Sequence, residues 1–207
     1  MTLILASASP RRAELLAAAG FAFTVRPAHV DETIRPGEDP TSYALRVAGE
    51  KAARVLEQCR ESGSLVLGAD TVVVTGGRIM GKPADDADAR SMLKALSGAV
   101  HEVHSGVAVY SKTRRSCEVV TTRVHILPLT DDEIEWYIGT GEPWGKAGAY
   151  AIQGRAARFV DWIEGSWSNV VGLPIATVHR LVNEAGGNLT GSDSGTILRQ
   201  ANTAKPL

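Results

Sequence analysis

The chain has 207 residues, 44% hydrophobic and 22% charged, the balance of an ordinary globular protein with one large domain or two lobes sharing a core. A net charge of −1 excludes recruitment of nucleic acid or an acidic membrane by a whole-protein field, so any polyanion site has to be a local cluster of Lys and Arg. The two cysteines, Cys59 and Cys117, lie far apart in no metal-like spacing, and no uncharged run reaches membrane-spanning length, so reduced thiols in a cytoplasmic protein are expected.

Leu3-Ile4-Leu5-Ala6 is a short apolar run and reads as a buried strand. Ser9-Pro10 then reads as an N-cap followed by proline at the first helical position, opening a helix that stops at Gly20. Phe21 to Val25 reads as a second strand, and the proline- and acid-rich residues 26–40 as a loop. Tyr43 to Cys59 has apolar residues at helical spacing. Leu65 to Val74 is β-branched and ends at Gly76-Gly77, which predicts a strand and hairpin leading into Arg78-Ile79-Met80. A helix is expected over Asp85–Leu96, strands over Val100–Tyr110 and Cys117–Leu127, and a helix behind the capping box Thr130–Glu133. Residues 139–172 read as ordered loops with short strands, and Pro174 opens a last helix to about Glu184. From Gly186 the composition predicts a flexible tail, residues 186–207, behind a domain spanning residues 1–185. Strand and helix alternate first and antiparallel strands follow, which predicts an α/β protein with a mixed sheet.

Several segments carry chemistry. Ser7-Ala8-Ser9-Pro10-Arg11-Arg12 spans a strand-to-helix junction, where free backbone N–H groups and the helix dipole favour anions. On the residues alone it is either a phosphate cradle or a capped surface helix with two solvated arginines. Asp31-Glu32 in the following loop are solvated acids or oxygen ligands for a hard cation. Asp70 interrupts an apolar strand, where an acid is costly unless paired or metal-bound; a strand bulge at Gly68 is the structural alternative. Lys51 reads by default as part of a solvated helix face. Gly81-Lys82-Pro83 is a phosphate contact or a turn. Gly145 to Gly154 sets small residues around Tyr150 and Gln153, either to read a base edge through the glutamine amide or as a packed turn. No spacing points to zinc, the histidines read as structural or surface residues, and no nucleophile elbow is present. What remains is acids, bases and a helix N-terminus, a set suited to metal-assisted phosphate chemistry.

The order of these motifs resembles the Maf family over about residues 3–182, including Glu50-Lys51-Ala52, Gly68-Ala69-Asp70-Thr71, Ser97-Gly98 with His101 to Val107, and Gly165-Ser166 through Asn169-Val170 to Gly172-Leu173-Pro174. The resemblance implies an elongated mixed sheet with flanking helices and two lobes around a cleft, similar to inosine-triphosphate pyrophosphatases. It implies divalent-cation-dependent hydrolysis of a nucleoside triphosphate between the α and β phosphorus atoms, in a homodimer. By that resemblance Glu32 and Asp70 hold Mg²⁺ or Mn²⁺, and Asp70 also orients or deprotonates water. Arg11, Arg12, Lys51 and Lys82, with Ser7 and Ser9, bind the triphosphate, while Thr71 and Gln153 read the base. Arg11, Thr71 and Gln153 match the dTTP/UTP branch; the 7-methyl-GTP branch has Trp, Gln and Glu at these places. That branch, and a non-catalytic nucleotide-binding regulator of cell division, are the alternatives.

Overall fold

The computed structural model describes residues 2–59 and 63–186, so the tail expected over 186–207 lies, apart from Gly186, outside the described residues. Strand β1 (Thr2–Leu5) is apolar and buried from Leu3 to Leu5 because both of its faces are covered there. Leu3 and Leu5 face one core, while Ile4 faces another under helix α2 (Pro40–Glu57). β1 pairs in parallel with β2 (Phe23–Val25) and with β3 (Ser64–Thr75). Beyond β3 every pairing is antiparallel: β4 (Arg78–Met80) folds back on β3, then β5 (Val100–Tyr110), β6 (Arg115–Ile126) and β7 (Val160–Glu164) follow. The sheet order is β2-β1-β3-β5-β6-β7, with β4 against β3. The expected mixed α/β architecture with flanking helices is thus present. No described helix is long and apolar enough to cross a membrane.

The two lobes follow from the residues of β3. On one face Leu65, Leu67 and Ala69 pack with helices α1 (Pro10–Ala18) and α6 (Ile175–Glu184). Four residues further on, Val73 packs in a second core with α3 (Asp86–Leu96) and α4 (Asp131–Gly139). Thr71 lies between these cores. Its partner on β5 is Ser105, likewise flanked by Val107 in the first core and Val103 in the second. The opposite face repeats the break: Val66 belongs to one cluster, Val72 and Val74 to the next, and Asp70 lies between. A polar row therefore crosses the sheet where its apolar cores part, and the cleft opens there.

α2 lies unusually close to the sheet. A Cβ at Gly68 would fall 2.1 Å from the Ala48 carbonyl oxygen, and one at Gly106 2.1 Å from that of Ala44. Gly68 marks no bulge, because the β3–β5 register runs unbroken from Val66 to Val74. Its role is the close approach, which carries α2 down toward Asp70. Gly68→Ala is therefore expected to cost about 1–3 kcal/mol by overpacking, read as a lower denaturant midpoint. An unchanged midpoint would show that α2 can shift outward freely.

Several elements differ from expectation, β2 among them, which begins at Phe23 rather than Phe21. α2 starts at Pro40 because Asp39 caps it, accepting from the N–H groups of Thr41 and Ser42. The span 139–172 contains α5 (Trp167–Val171) and two 3₁₀ turns, Ala147–Ala149 and Arg155–Phe159, as well as the strand β7. β6 begins at Arg115 rather than Cys117.

Candidate active site

A cleft of about 660 Å³ lies at this break. Five Lys and Arg side chains line it (Arg11, Arg12, Lys51, Lys82 and Lys146) against two carboxylates, Glu32 and Asp70. A chain of net charge −1 thus holds a local cationic cleft.

At one end is the turn from β1 into α1. Ser9 occupies the N-cap position, but its side chain makes no capping bond. The first-turn N–H groups of α1 and the Ser9 hydroxyl are therefore free to meet an anion. The Ser7 hydroxyl accepts from Ser9 N–H at 3.2 Å and from Arg12 Nη1 at 3.0 Å. Arg12 is not a solvated surface residue, being only 8% exposed. It donates from Nε to the Gly172 carbonyl (2.9 Å), from Nη1 to the Ala69 carbonyl (2.7 Å) and from Nη2 to Thr71 Oγ1 (3.2 Å). Burial pushes its pKa down, while Asp70 and Glu32 oppose that. Arg12 therefore ties the turn after β1, strand β3 and the α5–α6 link together beneath the cleft. Arg11 is half-buried at the rim; burial lowers its pKa too, against the pull of Glu14.

The acids meet on the opposite face of β3. Lys51, expected on a solvated face, is buried there, with a side chain 9% exposed. The Gly68 contact explains the difference, because it turns this side of α2 onto the sheet. Lys51 Nζ lies 2.8 Å from Asp70 Oδ1 and 2.7 Å from Glu32 Oε1. Burial opposes the charge of Glu32, but the Lys51 hydrogen bond and the charges of Lys51, Lys82 and Arg12 outweigh it and hold the pKa below its ordinary value. The loop carrying Glu32 is fixed from its backbone by α2. Tyr43 OH donates to the Glu32 carbonyl at 2.8 Å. Arg46 donates to the carbonyls of Asp31 (3.4 Å) and Thr33 (3.0 Å) while paired with Glu38. Asp31 itself is exposed and turns its carboxylate to the Thr33 N–H.

The remaining candidates fall on either side of this centre. Lys82 lines the cleft on the loop after β4. Thr71 lines it too, but its hydroxyl is already engaged with Ser105 Oγ (2.8 Å) and the Gly172 carbonyl (3.1 Å). Gln153 does not join them: it is exposed and outside the cleft lining. Val73, Met80, Val103, Ala147, Tyr150 and Val170 form an apolar stretch of wall. Behind it His101 Nε2 bonds Tyr150 OH at 2.8 Å, and burial lowers the histidine pKa to about 4, so it is neutral at pH 7. The sequence reading missed Tyr43, Arg46 and Ser105, whose tasks depend on which face α2 and β5 present.

The donor set suits a hard divalent cation. Glu32 and Asp70 offer carboxylate oxygens, and among the described residues no third His, Cys, Asp or Glu joins them. That is the sparse set expected where substrate phosphate and water complete the coordination of Mg²⁺.

Residues 2–185 match the family model described as Maf-like protein. A dTTP/UTP pyrophosphatase of Anaeromyxobacter dehalogenans is 53% identical over 192 residues, covering 89% of this chain and 94% of that protein. One of Koribacter versatilis is 51% identical over 186 residues, covering 90% and 95%. Two solved structures align more loosely. A nucleoside-triphosphatase, dITP/XTP pyrophosphatase, of Mycobacterium abscessus has a TM-score of 0.37 at 15% identity, covering 68% of this chain and 95% of that one. The Staphylococcus aureus Ham1 protein has a TM-score of 0.40 at 13% identity, covering 61% and 72%.

Proposed function

The chain belongs to the Maf-like protein family, and we propose from that premise that it is a pyrophosphatase cutting dTTP and UTP into the nucleoside monophosphate and pyrophosphate. The observation that carries the reading is the buried Lys51 shared by Glu32 and Asp70 at the floor of a cationic cleft. An electrophilic phosphorus needs a nearby carboxylate for the attacking water and fixed positive charge for the leaving group, and this cleft supplies both. The same proposal includes a cytoplasmic location, expected from the sequence pattern, and a homodimer, which rests on the family resemblance.

The mechanism distributes the residues by position. The α1 N-terminus, the Ser7 and Ser9 hydroxyls, Arg11 and Lys82 bind the triphosphate. Arg12 keeps that cradle rigid through its bonds to Ala69 and Gly172, and offers its one uncommitted N–H to a phosphate oxygen. Asp70 accepts the proton of the attacking water, and Lys51 fixes its carboxylate in place. Glu32 and Asp70 would hold Mg²⁺ or Mn²⁺, which when bound neutralises phosphate charge as a Lewis acid. The apolar wall around Met80, Val103 and Tyr150 receives the base. Arg11, Thr71 and Gln153 are proposed to set base preference; Gln153, outside the lining, would act from the turn beside it.

Hydrolysis in ¹⁸O-labelled water with Mg²⁺ tests the reading. dTTP and UTP should be preferred over CTP, ATP and 7-methyl-GTP, with the label in the monophosphate. Label in released orthophosphate would place the cut at the wrong phosphorus. Faster turnover of 7-methyl-GTP than of dTTP would overturn the pyrimidine preference.

A further inference from the structure

Lys146 is a cleft-lining cation to which the mechanism above gives no task. It sits in the turn between Gly145 and Gly148, both at positive φ. The Gly148 N–H donates to the Gly81 carbonyl at 3.0 Å. Two Gly-Lys segments, Gly81-Lys82 and Gly145-Lys146, are therefore tied together on one wall, with both lysines lining the cleft. Gly148 is pressed against Val73, which seats the turn on the second core. Lys146 Nζ donates to the carbonyls of Glu142 (2.5 Å) and Trp144 (3.3 Å) and pairs with no carboxylate among the described residues. Two bonds leave an ammonium one free donor. Burial lowers its pKa, the charge of Arg11 lowers it further, and Glu142 acts the other way. Two half-buried cations held near one another repel, and an anion entering between them relieves that repulsion.

We propose that Lys146 is a further substrate-binding residue, which with Arg11 and Lys82 grips the phosphoanhydride chain of the nucleotide. The proposal rests on the pyrophosphatase reading. Its chemistry is that of a fixed cation donating a charge-assisted hydrogen bond to a phosphate oxygen. An apolar base surface would leave the same ammonium unsatisfied.

The test compares wild type with Lys146→Met and Lys146→Gln. The glutamine amide can still donate to the Glu142 and Trp144 carbonyls, so that variant removes the charge and keeps the turn. Calorimetric titration with inorganic tripolyphosphate should show roughly tenfold or greater weakening in both variants. KM for dTTP should rise in parallel, and the affinity for thymidine should stay unchanged. Unchanged tripolyphosphate affinity in Lys146→Gln would overturn the proposal, as would an equal loss for thymidine, which would mean a contact to the base or a general distortion. A wild type that releases no pyrophosphate from dTTP would sink the enzymatic reading, while the tripolyphosphate comparison would still decide the role of Lys146.

Discussion

Asp70→Asn is expected to keep the fold and lose at least about a hundredfold in kcat, the lower range for removing a general base. The side chains are nearly isosteric, and an amide oxygen can still accept from Lys51 Nζ where the carboxylate now does at 2.8 Å. The ammonium also keeps its second partner, Glu32 at 2.7 Å, so no buried charge is orphaned. KM should change little, because the proposed mechanism holds the triphosphate elsewhere: by the turn into α1, by Lys82 and by Lys146. Titrating Mg²⁺ separates the two tasks assigned to Asp70. Recovery of turnover at high Mg²⁺ would assign it mainly as a ligand; no recovery would assign it as the base. Turnover near that of the wild type at ordinary Mg²⁺ would remove Asp70 from the mechanism.

Asp70 was legible in the sequence because an acid inside a β-branched apolar run has few structural excuses. The Ser7–Arg12 turn was legible for a similar reason: strand, short polar turn and Pro at N1 announce a helix N-terminus. Lys51 was not. Its burial depends on which side of α2 meets the sheet, and that is set by Gly68 and Gly106 on other elements. The same contact hid Tyr43 and Arg46, whose role is to hold the Glu32 loop by the carbonyls of three successive residues. The sequence shows Arg12 only as a charge near a helix N-terminus; the four protein acceptors that converge on it come mostly from distant segments and are not legible there. The break between the two cores has a signal in the sequence: Thr71 and Ser105 are polar residues at core-facing positions of long strands. Their alignment across β3 and β5 required the register, which local pattern does not supply.

Lys51→Met tests the other half of the centre, and its largest effect is expected on stability. Lys51 and Asp70 have side chains only 9% and 10% exposed, so removing the ammonium leaves a buried carboxylate without its counter-charge. Breaking such a pair from one side costs about 3–5 kcal/mol. The lower end is expected here, because Glu32, with a side chain 46% exposed, can turn to solvent. Turnover should also fall by about a hundredfold or more, as when one preorganised transition-state donor is lost. The pH dependence has a definite sign. In the wild type Glu32 is held below its ordinary value of 4.5, so it adds stability above that pH and loses it as pH falls through the lowered folded value. Without Lys51 that contribution shrinks. The variant's deficit should therefore be greatest above about pH 5 and narrow in acid, where Glu32 takes up a proton. A double-mutant cycle isolates the cause. Adding Asp70→Asn to Lys51→Met removes the orphaned charge and should restore part of the lost stability in urea unfolding at pH 7. Simple addition of the two single losses would show that the cost came from the methionine's packing, and that the ion pair at the cleft floor is not what Lys51 contributes.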